Sequence, residues 1–126
     1  MPKQVIAGRL VGELEAEIMQ RLWTCSEPVT GKELLTQFTD RAMAYTTLMT
    51  VLGRLVDKRL VERVPDDRIV RFRAAGDTDQ LTAQAIGRLL ESANDRRAVL
   101  AHLVESIADP ELTTELAAVL ERARQS

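Results

Sequence analysis

The residues with the most chemistry at a useful spacing lie in Ala44-Tyr-Thr-Thr-Leu-Met-Thr-Val-Leu-Gly-Arg-Leu-Val-Asp-Lys58. Read as a helix, this stretch puts Thr46, Thr50, Gly53, Arg54 and Asp57 on one face, with Thr47 and Lys58 to one side. The opposite stripe is Leu48, Val51, Leu52 and Leu55, flanked by Tyr45. A solvated face ordinarily favours Glu, Lys, Gln and Arg, which form helices well. Here short hydroxyls and a bare Gly53 allow close approach to another surface, while Arg54 and Lys58 supply positive charge. Threonine methyls and hydroxyls suit base edges or phosphate, and a guanidinium can grip guanine with two hydrogen bonds. The face therefore suits a DNA major groove. The bland alternative is a set of tolerated surface threonines.

Other candidate chemistry lacks partners. His102, the single histidine, stands mid-helix with no cysteine near it, so neither zinc nor acid–base work is expected. Cys25 has nothing cationic beside it in sequence to lower its pKa, and it reads as a small packing residue. Asp66-Asp67 follows Pro65 and reads as turn chemistry. Met19 and Trp23 read as core, whereas Met49 borders the threonine face. No glycine-rich phosphate loop, nucleophile elbow or metal box is present. No enzyme, cofactor or metal is expected.

The elements that must position the threonine face follow in order. Residues 1–12 show no period and read as a short arm. Glu13 to about Thr24 forms a helix, with Leu14, Ile18 and Leu22 inward and acids in its first turns. Thr30 and Glu33 form a capping-box pair that opens a short second helix through Leu34, Leu35 and Phe38, ending near Thr39-Asp40. With the third helix this is a helix-turn-helix order. Leu60–Val64 and Ile69–Arg73, around Pro65-Asp-Asp-Arg68, predict a β-hairpin placed as a wing. Beyond Ala74-Ala-Gly-Asp77 only helices are expected, at about Asp77–Ala93, Asp95–Ile107 and Asp109–Arg124. The fold class is mainly α with a small β-hairpin: a winged helix-turn-helix over 1–76 plus a helical dimerisation region over 77–126.

The chain has 126 residues, 45% hydrophobic and 3% aromatic, which suits helices more than sheets. Residues 41–76 carry eight Lys/Arg against four acids, whereas 77–126 carry five against nine, so an overall charge of −2 hides a basic half. A local basic patch can supply a phosphate-binding field. No run approaches a membrane span, the N-terminus lacks a signal-peptide layout, and one cysteine excludes an internal disulfide. A cytoplasmic protein without membrane contact is expected. The last helices cannot bury their apolar sides well in about 50 residues, so a homodimer is expected, through Leu103, Val104 and Ile107, then Leu112, Leu116, Val119 and Leu120. The alternative is that 77–126 folds back onto 1–76 as one monomeric core.

Taken together, Gly12-Glu-Leu-Glu15, Ile18-Met19, Leu22-Trp23, the 44–58 string and Leu60-Val-Glu-Arg63 resemble the penicillinase-repressor family, over essentially the whole chain. The resemblance implies a dimeric winged-helix repressor of dyad-symmetric operators, often upstream of β-lactam resistance genes. The recognition-helix role then falls on Thr46, Thr47, Thr50 and Arg54, and the wing role on residues 64–73. Lys32, Lys58, Arg68, Arg71 and Arg73 are the expected phosphate contacts. It also implies a regulatory protease as partner, since cleavage in the C-terminal region can lift repression in the family. Staphylococcal members are cut at Asn-Phe, a dipeptide absent here; Asn94-Asp95 lies in a comparable region. The copper-responsive branch has a cysteine-rich C-terminal motif, and no cysteine follows Cys25.

Two rivals belong to other classes. A winged helix can recruit a protein partner, which would call for apolar or acidic residues at 46, 50 and 54. A regulator sensing a small ligand in its C-terminal helices would call for a pocket with convergent polar groups.

Overall fold

The computed structural model describes residues 4–40, 42–107 and 109–125; Arg41, counted above in the basic half, lies outside them. The chain forms two compact units, Met1–Ala85 and Ile86–Ser126. The first runs nine residues past the boundary expected at 76, because Leu81 is buried in its core.

The first unit opens with a hairpin, β1 (Gln4–Ile6) and β2 (Arg9–Val11), where an arm was expected. Ala7 and Gly8 both take positive φ, 51° and 78°, the backbone that a two-residue hairpin turn requires. Ile6 and Val11 point into the core, while the cross-strand pair Val5 and Leu10 is exposed. Three-residue strands are too short to show a period, and Ala-Gly is a weaker turn signal than Asn-Gly. That is why the sequence concealed them.

Helix α1 (Glu13–Thr24) follows, its first N–H groups steadied by the Glu15 carboxylate, which accepts from the Gly12 N–H at 3.1 Å. It buries Ala16, Ile18, Met19 and Leu22. Trp23 packs on the core and its indole N–H donates to the Gly76 carbonyl at 2.9 Å, tying the end of α1 to the segment after the wing. A two-residue strand, β3 (Val29–Thr30), leads into α2 (Gly31–Leu35), whose capping box forms as expected: Glu33 N–H to the Thr30 hydroxyl at 3.1 Å, and Thr30 N–H to the Glu33 carboxylate at 2.9 Å. The helix ends at Leu35, short of the expected Thr39-Asp40, although Phe38 is still buried.

Helix α3 (Tyr45–Asp57) buries the expected stripe, Leu48, Val51, Leu52 and Leu55. Strands β4 (Val61–Asp66) and β5 (Ile69–Ala74) form the wing, and β3 adds to its far side to give the order β3-β5-β4. Pairing of Arg63 with Phe72 and of Val61 with Ala74 puts the buried Val61 and Phe72 on the sheet face that covers the helices. Asp67 at the turn has φ of 58°, as the turn reading of Asp66-Asp67 requires. Helix α4 (Thr78–Glu91) starts from a reciprocal pair of bonds between Asp77 and Gln80, both 2.8 Å.

The second unit holds α5 (Arg96–Ser106) and α6 (Pro110–Arg124), capped by Asp95 and Asp109. Both lie within a residue or two of the expected spans. Neither helix contains a buried residue. Among the described residues, no helix is long and apolar enough to cross a membrane.

Candidate nucleic-acid interface

Helix α3 divides cleanly into two sides. Its inner stripe is fully enclosed, which holds the helix at a fixed rotation and leaves Thr46, Thr47, Thr50 and Arg54 exposed. These four, with Val51 beneath them, line one open depression. The Thr50 hydroxyl donates to the Thr46 carbonyl at 2.9 Å, so its methyl and its oxygen lone pairs remain for an outside partner. Arg54 makes no hydrogen bond or ion pair among the described residues. The N-cap, Ala44, has no side chain to bond the first N–H groups, so the start of α3 keeps unsatisfied donors.

A second opening lies beside the first turn of α3. Thr30, Gly31, Lys32, Tyr45, Met49, Arg68, Ile69, Val70 and Phe72 line it, placing Lys32 on the helical side and Arg68 on the wing side of the same cleft. Neither cation has a carboxylate partner among the described residues. Gly31 permits the close packing here: a Cβ at that position would stand 2.6 Å from Met49 Sδ and 3.2 Å from the Tyr45 ring. A larger residue there would force the Met49 and Tyr45 side chains to shift. Met49 packs against the core and close to Gly31 while also lining this cleft.

Three expected phosphate contacts are otherwise engaged. Lys58 turns back to α1 and the N-terminal hairpin, bonding Glu15 Oε2 at 2.8 Å and the Leu10 carbonyl at 3.0 Å. Burial alone would push the Glu15 carboxyl up, but the Lys58 bond, the Gly12 N–H and the charges of Lys58 and Arg54 together hold it below the usual carboxylate range. Arg73 pairs with Glu62 directly across the sheet at 2.9 Å. Arg71 is held between Asp66 and Glu33, both at 2.9 Å. Each is held by a carboxylate, with which a phosphate would have to compete or share donors.

One cation was overlooked. Arg63 lies on β4 opposite the buried Phe72, hence on the sheet face that meets α3, and its Nη2 is 4.0 Å from where a Gly53 Cβ would stand. The bareness of Gly53 thus makes room for Arg63 as well as for any outside surface. Arg63 is exposed and makes no ion pair among the described residues. The apolar–charged alternation of Val61, Arg63 and Pro65 along one strand face was the signal, but the strand register was needed to aim it.

His102 is 81% exposed and lies 3.8 Å from Glu105 one turn on, an ordinary surface placement. Cys25 donates to the Arg21 carbonyl and accepts from Gln37. Of the expected dimer residues, Leu103, Val104, Leu112, Leu116, Val119 and Leu120 are 42–54% exposed and Ile107 is half-buried.

A family model described as penicillinase repressor matches residues 11–122. The transcriptional regulator BlaI from two strains of Mycobacterium tuberculosis is 38% identical over 105 residues, covering 80% of this chain and 76% of that protein. Among solved structures, a mutant of S. aureus MepR bound to an oligodeoxyribonucleotide aligns with a TM-score of 0.49 and 13% identity, over 91% of this chain and 78% of that one. Apo MarR from E. coli aligns with a TM-score of 0.48 and 20% identity, over 79% of each chain. With both a whole-chain family match and close relatives, the chain belongs to the penicillinase repressor family.

Proposed function

We infer that this protein is a transcriptional repressor that binds double-stranded DNA as a homodimer on a dyad-symmetric operator. The observation that carries the reading is the exposed Thr46, Thr47, Thr50 and Arg54 face on a helix whose other side is locked into a winged-helix core. Placed in a major groove, Arg54 takes a guanine edge with two hydrogen bonds, and the threonine methyls meet thymine methyls. Lys32 and Arg68 neutralise phosphates on the flanking strand, and Arg63 adds a third cation beside Gly53. Wing and helix then straddle one backbone, as winged helices do when they dock.

Dimerisation is the second part of the proposal. The large apolar side chains of α5 and α6 stay about half exposed, and a second copy would bury them. Two recognition helices about one helical turn apart then read successive major grooves, and the bound dimer blocks a promoter. Genes of a β-lactam response are the proposed targets, and a protease acting on the C-terminal unit is the proposed route of release, both by extension from the family.

Selection of bound duplexes from a random pool, at two salt concentrations, tests the reading. A palindromic consensus with half-sites about ten base pairs apart is expected. Equal retention of all sequences at both concentrations would overturn it.

A further inference from the structure

Arg71 occupies a junction. It lies on the middle strand of the sheet, directly opposite Thr30 of β3 and Val64 of β4. Its Nη1 donates to Glu33 Oε1 and its Nε to Asp66 Oδ2, each at 2.9 Å. The same Glu33 oxygen accepts the Thr30 N–H that begins α2. One carboxylate therefore both starts α2 and grips the wing. The Thr30 bonds and the Arg71 charge hold the Glu33 carboxyl below its ordinary range, and Asp66 with Glu33 holds the proton on Arg71 more tightly than usual.

Two carboxylates around one guanidinium leave a local net charge of −1. A phosphate approaching this junction meets repulsion, in contrast to Lys32 and Arg68, which face the neighbouring cleft without acids. We propose that Arg71 is a positioning residue and not a phosphate contact: it clamps the wing to α2 and so sets the width of the cleft between Lys32 and Arg68. The proposal rests on the DNA-binding reading above. It reverses the role that a cation on the return strand of a wing suggests from sequence.

The salt slope of Arg71→Gln decides between the roles: a phosphate-contacting Arg71 carries a share of that slope, and a clamping Arg71 does not. Glutamine at position 33 still completes a capping box, so in Glu33→Gln α2 keeps its start while the clamp loses its charge. That variant also relieves the repulsion of phosphate, so it reports through the mobility of the wing and not through affinity.

The test uses the full chain and a duplex carrying the selected consensus, titrated at several salt concentrations. Arg71→Gln is expected to weaken binding by about two- to five-fold, the scale of an exposed ion pair. The salt slopes of Glu33→Gln, Asp66→Asn and Arg71→Gln should equal that of the wild type, whereas Lys32→Gln should lower it by about one. Glu33→Gln combined with Arg71→Gln should bind no worse than Arg71→Gln alone. Amide exchange should quicken at Asp67, Arg68 and Ile69 in Glu33→Gln, with α1 and α3 unchanged. A lowered slope in Arg71→Gln, or unchanged exchange at the wing tip in Glu33→Gln, would overturn the clamp. If Arg71→Gln does not fold, amide exchange in Glu33→Gln decides. A wild-type chain that binds no duplex would sink the DNA reading instead, and the exchange measurement, which needs no DNA, would still decide the clamp.

Discussion

Cations near the recognition face differ in what surrounds them, and that difference separates their roles. Arg54 stands on the exposed face without a carboxylate bond, so its donors are available to a base edge. Arg54→Ala is expected to cost about 1–3 kcal/mol of binding and to relax base choice at one operator position. Titration against single-substitution operators checks this; equal weakening on every sequence would make Arg54 a phosphate contact. Lys32 offers only a point charge, which suits a phosphate and not a base edge. Lys32→Ala should weaken all sequences alike. Types such as Thr and Arg announced this chemistry in the sequence, but partners did not: nothing in the linear order places Glu15 beside Lys58, 43 residues away.

The elements show where local chemistry and packing agree and where they conflict. Arg59, just past α3, takes φ of 64°, and the Leu60 N–H bonds back to the Leu55 carbonyl at 3.0 Å. A left-handed residue ending a helix in this way is usually glycine, which has no Cβ to strain. Arg59→Gly should therefore stabilise the first unit by about 0.5–1 kcal/mol, measurable by urea denaturation. The same end of the helix is tied through Lys58 to α1. Glu15 is only 12% exposed as a side chain, and its ionised form is favoured in the fold. Because the folded pKa is depressed, the pair stabilises fully above the ordinary value of 4.5 and the effect is lost as pH falls through the native value. Glu15→Gln should cost about 1–2 kcal/mol near neutrality, and the two proteins should converge in acid. A difference that persisted in acid would mean that the loss lies in packing.

At the scale of the whole molecule, the two units differ in self-sufficiency. Among the described residues, sixteen apolar residues form the core, and all of them fall at or before Leu81. The second unit has exposed leucines and valines along α5 and α6 and no buried residue in either helix. Leu116→Glu should shift sedimentation from dimer to monomer and abolish operator binding at sub-micromolar protein, while the melting of the first unit stays unchanged. A dimer that survived both Leu116→Glu and Leu103→Glu would place the interface elsewhere.

Periodicity determined α1, α3 and the inward stripe of α3, because a buried face must repeat with its element, and β-branched runs around Pro65-Asp-Asp-Arg68 determined the wing. Capping residues likewise fixed the starts of α2, α5 and α6, since those bonds span only two or three residues. The N-terminal hairpin and β3 are too short for any period, and they exist because partners far along the chain, or across a turn, supply the missing hydrogen bonds. Tertiary structure alone decided which arginines and lysines face outward free and which are spent on a carboxylate, because an ion pair is a property of folded proximity and not of order along the chain.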